Sequence, residues 1–336
     1  MKHLKIGKHL TFAGAALLAS GGFALADGHA DEVNLQLQWV TQAQFAGYYV
    51  ALENGYYDEE NLDVNIIPGG PDIAPPQVLA GGGADIMLNW MPSALAAREN
   101  GLPVVNIAQP FVRSGLMLTC WADSGIAEPA DLAGRTVAHW FFGNEYPFLS
   151  WMSQLGIGVD GGEGVTLLQA GFNVDPLLQR QADCMSTMTY NEYWQIIDAG
   201  VTPEELVTFR YEDYGVSTLE DGIWALEENL EDPEFVDRMA RFVRASMRGW
   251  AWAVENPDDA AMIVLDFDET GAQTEEHQLR MMGEIALLVA GGDGRLDEAA
   301  YQRTVDTLMA GGSDPVISAA PEGAFTHVVT DAALAE

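Results

Sequence analysis

Lysine is almost absent from this sequence of 336 residues. Lys2, Lys5 and Lys8 are the only three, and every basic residue after them is one of 12 arginines. A chain without lysine past residue 8 has no side chain for Schiff-base chemistry or for the usual covalent attachment of pyridoxal phosphate. It also has no standard Walker A motif, whose lysine reaches the phosphates. Positive charge as a whole is scarce, with 15 Lys+Arg against 50 Asp+Glu and a formal net charge of -35. So acidic a chain is a poor partner for nucleic acid or for an anionic membrane surface. Cysteine occurs twice, at Cys120 and Cys184, too few for a metal site. The histidines beyond the N-terminus, His29, His139, His277 and His327, are scattered without zinc-ligand spacing. No G-x-S-x-G motif occurs, and acids are too common for any pair of them to indicate catalysis. The expectation is no catalytic residue, no metal and no cofactor. What is plentiful is apolar: 48% of residues are hydrophobic, enough for a sizeable core under an acidic surface.

The three lysines have a second meaning. They precede an apolar run, Leu10 to Leu18, and then the small-residue boundary Ala24-Leu25-Ala26. This three-part pattern predicts a secretory signal peptide over residues 1–26, and hence a soluble, exported, periplasmic protein. The run is short for a membrane span, and no cysteine at the boundary offers a lipid anchor. Cleavage at Ala26 would leave 12 arginines against 50 acids, a formal charge of -38, with no lysine. Such a surface suits salty water, where screening relaxes self-repulsion. Export permits a disulfide between Cys120 and Cys184; two buried thiols are the other reading, and the sequence does not choose.

Hydrophobic patterning alternates strand and helix. Strands are expected at Val33–Trp39, Leu62–Ile67, Ala84–Leu88 and Val104–Gln109, with helices at Gln44–Glu53, Pro76–Ala80 and Pro92–Asn100 between them. A second α/β unit follows over roughly 114–213. Its strands are expected at Leu116–Cys120, Thr136–His139, Val165–Gln169 and Asp183–Met188, and its helices at Pro147–Leu155, Asp175–Arg180 and from Tyr193. Gly222–Leu226 reads as one more strand. Helices at Pro233–Glu255, Asp258–Leu265, Thr274–Val289 and Asp297–Ala310 follow. Arg238, Arg241, Arg244 and Arg248 line one face of the long helix and should pair with nearby acids. The prediction is an α/β fold of two lobes on mostly parallel sheets, with lobe 1 over 27–113 and 215–336 and lobe 2 over 114–214. Crossings near 112–116 and 212–218 would form the hinge. Ligands of such folds sit where strands end and helices begin.

Four such places carry suggestive residues. Trp39 ends the first strand and is followed by Gln42, Gln44, Tyr48 and Tyr49; an indole there can stack on a planar ligand. Tyr48 and Tyr49 cannot both face one way, so one belongs to the core. Asn89 and Trp90 end the third strand, where an amide can read ring nitrogens. Phe142, Asn144 and Glu145 follow the strand at 136–139; Gly143 permits close backbone approach, and Asn144 could alternatively cap the next helix. Tyr190, Asn191 and Glu192 follow the strand at 183–188. A shielded carboxylate such as Glu192 can pair with the amino group and ring nitrogen of an aminopyrimidine through two parallel hydrogen bonds.

Several short runs resemble one family. Trp39 through Gly47-Tyr48-Tyr49-Val50-Ala51 to Gly55-Tyr56-Tyr57 is similar to the opening of periplasmic solute-binding proteins of the thiamine-precursor (NMT1/THI5-like) type. So are Leu62-Asp63-Val64 with Gly69-Gly70, and Gly83-Ala84-Asp85. Pro129 to Gly134 with Arg135-Thr136-Val137 resembles the entry to that family's second lobe. The resemblance implies a bilobed type II periplasmic-binding fold, two α/β lobes joined by a two-crossing hinge. It implies a monomer that delivers a pyrimidine precursor of thiamine to the permease of an ABC importer. By that analogy Trp39 stacks on the ring and Glu192 holds its amino edge. Fungal members are synthases that use pyridoxal phosphate and a cysteine-rich iron motif; this chain has neither the cysteines nor, past its leader, a lysine. Rival readings are the same fold binding riboflavin, or an aliphatic sulfonate or nitrate with Arg113 as the anion anchor. An exported enzyme and a protein-interaction module are readings of other classes.

Overall fold

The structure is a computed structural model that describes residues 30–310 and 315–335. The expected signal peptide lies outside the described residues. Among those described, no helix is long and apolar enough to cross a membrane.

Ten strands form two five-stranded mixed sheets. The first contains β1 (Asp31–Gln36), β2 (Leu62–Ile67), β3 (Ile86–Asn89), β4 (Val104–Ala108) and β10 (Gly222–Leu226), in the order β2-β1-β3-β10-β4. The second contains β5 (Leu116–Trp121), β6 (Thr136–His139), β7 (Thr166–Gln169), β8 (Cys184–Met188) and β9 (Leu206–Arg210), in the order β7-β6-β8-β5-β9. Each sheet holds one antiparallel strand, β10 in the first and β5 in the second. In both cases it is the first strand after the chain has crossed from the other sheet, at 109–115 and again at 211–221. The chain thus enters each sheet at an inner position, running opposite to the other strands, whose carboxyl ends lead into the segments that line the gap between lobes.

The elements follow from local sequence with small departures. β1 stops at Gln36 rather than Trp39, because the next donor of the β1–β2 ladder, the Gly69 N–H, bonds the Trp39 carbonyl instead of that of Leu37. Trp39 is thereby released into a loop. A Cβ on Gly69 would run into the backbone of Leu37 to Trp39, and the Gly69 N–H donates to the Trp39 carbonyl at 2.9 Å. A bare backbone at this position holds the loop against the strand end. The helix at Tyr146–Gln154 is not capped by Asn144: Glu145 occupies the cap position, and Asn144 donates to the Phe141 carbonyl instead. β9 and the terminal helix Val328–Leu334 were not expected, since neither carries a clean period in sequence.

The long helix Pro233–Glu255 runs as expected, capped by Asp232, whose carboxylate accepts from the Glu234 N–H. It buries Phe242, Val243 and Trp250 against the helix Ala46–Glu53, where Gly47 and Gly249 let the two backbones approach closely. Its arginine face meets acids: Arg241 with Asp31 and Asp237, Arg244 with Glu60, and Arg248 with Glu59. Arg238 instead lies over the Phe235 ring. In the other lobe, Cys120 and Cys184 face each other in the β5–β8 register and form a disulfide across a sequence separation of 64.

Candidate ligand-binding site

A cleft between the lobes holds about 650 Å³ of empty space, part of it open to solvent. Its walls come from the segments that follow the carboxyl ends of β1, β2 and β3 on one side and of β6, β7 and β8 on the other. Nine of the eleven residues singled out from sequence line it: Trp39, Gln44, Asn89, Trp90, Phe142, Asn144, Tyr190, Asn191 and Glu192. Tyr49 and Glu145 do not. Tyr49 is buried with its hydroxyl on Thr41 and its ring against Phe267, and Tyr48 is buried too, so both tyrosines belong to the core. Glu145 turns back to accept from the Gly143 N–H at 2.9 Å, which fixes the tight turn that presents Phe142.

The aromatic wall spans both lobes. Trp39 stands edge-on to Trp140 at 6.3 Å and lies nearly parallel to Phe172 at 6.5 Å, both from lobe 2. The indole N–H of Trp140 donates to the Gly171 carbonyl, which sets its plane. The two rims also touch directly: Ser93 Oγ donates to the Phe142 carbonyl at 3.1 Å. A Cβ on Gly143 would sit 2.6 Å from that of Ser93, so only glycine allows the rims this close.

The floor is polar. Glu192 opens the helix after β8 and is 2% exposed. Its carboxyl accepts from the Met188 N–H at 3.0 Å and from Asn191 Nδ2 at 2.7 Å. Burial nevertheless dominates and raises its pKa to about 7. With Nδ2 committed to Glu192, the Asn191 oxygen must be an acceptor; it takes hydrogen bonds from Gln195 Nε2 and from His277 Nε2, so His277 carries its proton on Nε2. His277 comes from lobe 1, which makes this a second tie across the cleft. A third lies outside it, where Arg280 of lobe 1 pairs with Asp198 and lies over the Trp194 ring.

On the lobe 1 side, Gln42 Nε2 donates to Gln44 Oε1 at 2.7 Å, and Gln44 Nε2 donates to Asp221 Oδ2 at 2.8 Å. Asp221 does not line the cavity. Burial raises its pKa to about 7, offset in part by Gln44 and by the indole N–H of Trp90, which approaches without making a hydrogen bond of ordinary geometry. Tyr190 sits among Asp221, Glu220 and Glu192, and burial with these charges pushes its hydroxyl pKa well up.

Among the described residues, no arginine or histidine lines the cavity. Arg113, the sequence candidate for an anion anchor, instead pairs with Glu212 at 2.9 Å outside the cleft. Sequence reasoning passed over Gln38, Ile73, Trp140 and Ala170, and took Phe141 only as part of the run that follows β6. Trp140 and Phe141 had a visible cue, since they directly follow β6; Ile73 sits in an irregular loop with none. The described residues contain no cluster of three or more His, Cys, Asp or Glu placed to hold a metal.

The chain and its fold are similar to those of known proteins. The profile of the NMT1/THI5-like family matches residues 42–260. The chain is similar to a formylaminopyrimidine-binding protein of Halalkalibacterium halodurans, with 30% identity over 89% of this chain and 90% of the relative. It is similar to the riboflavin-binding protein RibY of Chloroflexus aurantiacus, with 27% identity over 70% of this chain and 66% of the relative. A protein of Bordetella bronchiseptica RB50 with a solved structure shares the fold, with a TM-score of 0.70 and 18% identity over 91% of this chain and 97% of that one.

Proposed function

This chain belongs to the NMT1/THI5-like family, and from that membership we propose that it is the periplasmic substrate-binding component of an ABC importer. Its cargo is a small planar heterocycle, a thiamine pyrimidine precursor of the formylaminopyrimidine or hydroxymethylpyrimidine type. The observation that carries this reading is the cleft's chemistry: an indole at the rim, a buried carboxyl and amides at the floor, and no cation among the lining residues. A sulfonate or nitrate would need a positive partner or a helix start with hydroxyls. A flat, amine-bearing ring finds a stacking face in Trp39 and a hydrogen-bonding edge in Glu192. The 30% identical relative named for binding formylaminopyrimidine supports the same class.

The function is capture and not turnover. A chain with no lysine past residue 8 lacks the anchor that a pyridoxal-phosphate-dependent synthase would use. Ligand contacts to both lobes favour the closed form, and a membrane permease recognises that form in a transient complex with the monomer. Trp39 and Asn89 would supply lobe 1 contacts; Phe142, Asn144, Asn191 and Glu192 would supply those of lobe 2.

Gentle purification from the exporting host, followed by native mass spectrometry, tests the reading. A released pyrimidine of thiamine-precursor mass is the expected result. Release of riboflavin, or of a sulfonate, would replace it with the corresponding rival.

A further inference from the structure

Asp221 is buried, unmentioned by any motif, and one residue removed from the cleft. It lies in the second crossing, 211–221, directly before β10. One carboxylate oxygen accepts from Gln44 and the other makes no hydrogen bond of ordinary geometry, with the Trp90 indole N–H nearby. An ionised carboxylate only accepts hydrogen bonds, so it forces the Gln44 NH2 toward itself and the Gln44 oxygen away. That oxygen accepts from the Gln42 NH2, which in turn leaves the Gln42 oxygen with no protein partner in the wall of the cleft. One charge therefore fixes the direction of two consecutive amides.

We propose that Asp221 is a specificity-determining positioning residue: through Gln44 it turns the Gln42 carbonyl toward the ligand, so the site selects a ring edge that donates over one that accepts. This deepens the pyrimidine reading and rests on it for the identity of the ring. At the exocyclic position it favours an amino group over an oxo group, whose lactam ring keeps an N–H donor only at the adjacent nitrogen. Above pH 8 the carboxyl is ionised, given its position near 7, and the direction of the relay is fixed. The backbone at Asp221 has φ +41, a region that asparagine tolerates as well as aspartate, so Asp221→Asn keeps the local fold. Asparagine can accept from Gln44 or donate to it, which frees the relay to run in either sense.

The test is a pair of titrations at pH 8.5 with 4-amino-2-methylpyrimidine and 2-methylpyrimidin-4-one. The wild type should prefer the amino compound at least tenfold, and D221N should lose at least fivefold of that preference. Equal weakening of both ligands, or an unchanged ratio, would mean Asp221 is merely structural and overturns the proposal. A ligand-free measurement keeps this distinct from failure of the pyrimidine reading. In 15N-labelled protein, D221N should shift the side-chain NH2 resonances of both Gln44 and Gln42. A Gln42 signal that stays put breaks the relay and overturns the proposal, whatever the cargo.

Discussion

Glu192 is the residue whose environment says most about the cargo. Burial raises its pKa from 4.5 to about 7, so near neutral pH it is present as both acid and carboxylate. An aminopyrimidine edge offers one donor and one ring-nitrogen acceptor, and its pair with a carboxyl holds one shared proton. Above pH 7 the free site has lost that proton and binding must take it up from solution. Affinity should then fall by up to tenfold per pH unit. Glutamine presents the same acceptor and donor with no titration. Glu192→Gln should therefore retain affinity to within about tenfold at pH 7 while losing the decline above it. Calorimetry from pH 6 to 9 checks both halves, and a wild-type affinity that rises with pH would contradict the shared-proton pair. Glu192 was legible in sequence because it stands at a strand-to-helix switch beside aromatics. Asp221 was not: its importance comes from Gln44, 177 residues away in sequence.

At the scale of elements, the two crossings are laced together rather than lying side by side. Glu220 accepts from Ser114 Oγ at 2.5 Å and from the Gly115 N–H at 3.1 Å, while Glu212 holds Arg113 and the Ser114 N–H. Gln109 donates to the Glu220 carbonyl. Burial, then the neighbouring Asp221 charge, raises the Glu220 pKa to about 8. A raised carboxyl holds its proton longer folded than unfolded, so its contribution to stability is complete below about pH 4.5 and is lost as pH rises through about 8. Glu192 and Asp221 act in the same direction up to about pH 7. Thermal unfolding should thus drop in temperature from pH 5 to pH 8.5, and Glu220→Gln should flatten that slope; a slope unchanged by the substitution would remove Glu220 as its source. In lobe 2 the Cys120–Cys184 bridge ties β5 to β8. Replacing both cysteines by alanine should cost about 4 kcal/mol, from the loop of sequence separation 64 that the bridge closes, as read by denaturant titration. The alternation of strands and helices was legible because each has its own hydrophobic period. β9 was missed because it is an edge strand with only Leu206 and Phe209 buried. The lacing was out of reach because Glu220 and Glu212 look in sequence like any of 50 acids.

For the whole molecule, two sheets exchange one antiparallel strand-entry each, and every wall of the cleft hangs from a parallel strand's carboxyl end. That arrangement gathers segments from residues 38 to 192 around one cavity. It also concentrates the lobe-to-lobe ties at Ser93–Phe142, Asn191–His277 and Arg280–Asp198, where closure would be sensed. The acidic excess at -35 lies mostly on the outside, where Arg244 and Arg248 pair with Glu60 and Glu59, while Glu192, Glu220 and Asp221 are buried exceptions at or near the cleft. The central claim is that this cleft holds a flat pyrimidine against Trp39. Calorimetric titration of the wild type and of Trp39→Ala with formylaminopyrimidine tests it most directly. The account predicts saturable one-to-one binding by the wild type, at least tenfold weaker in the variant with its melting temperature retained. No binding by the wild type, or equal affinity in both proteins, would contradict it.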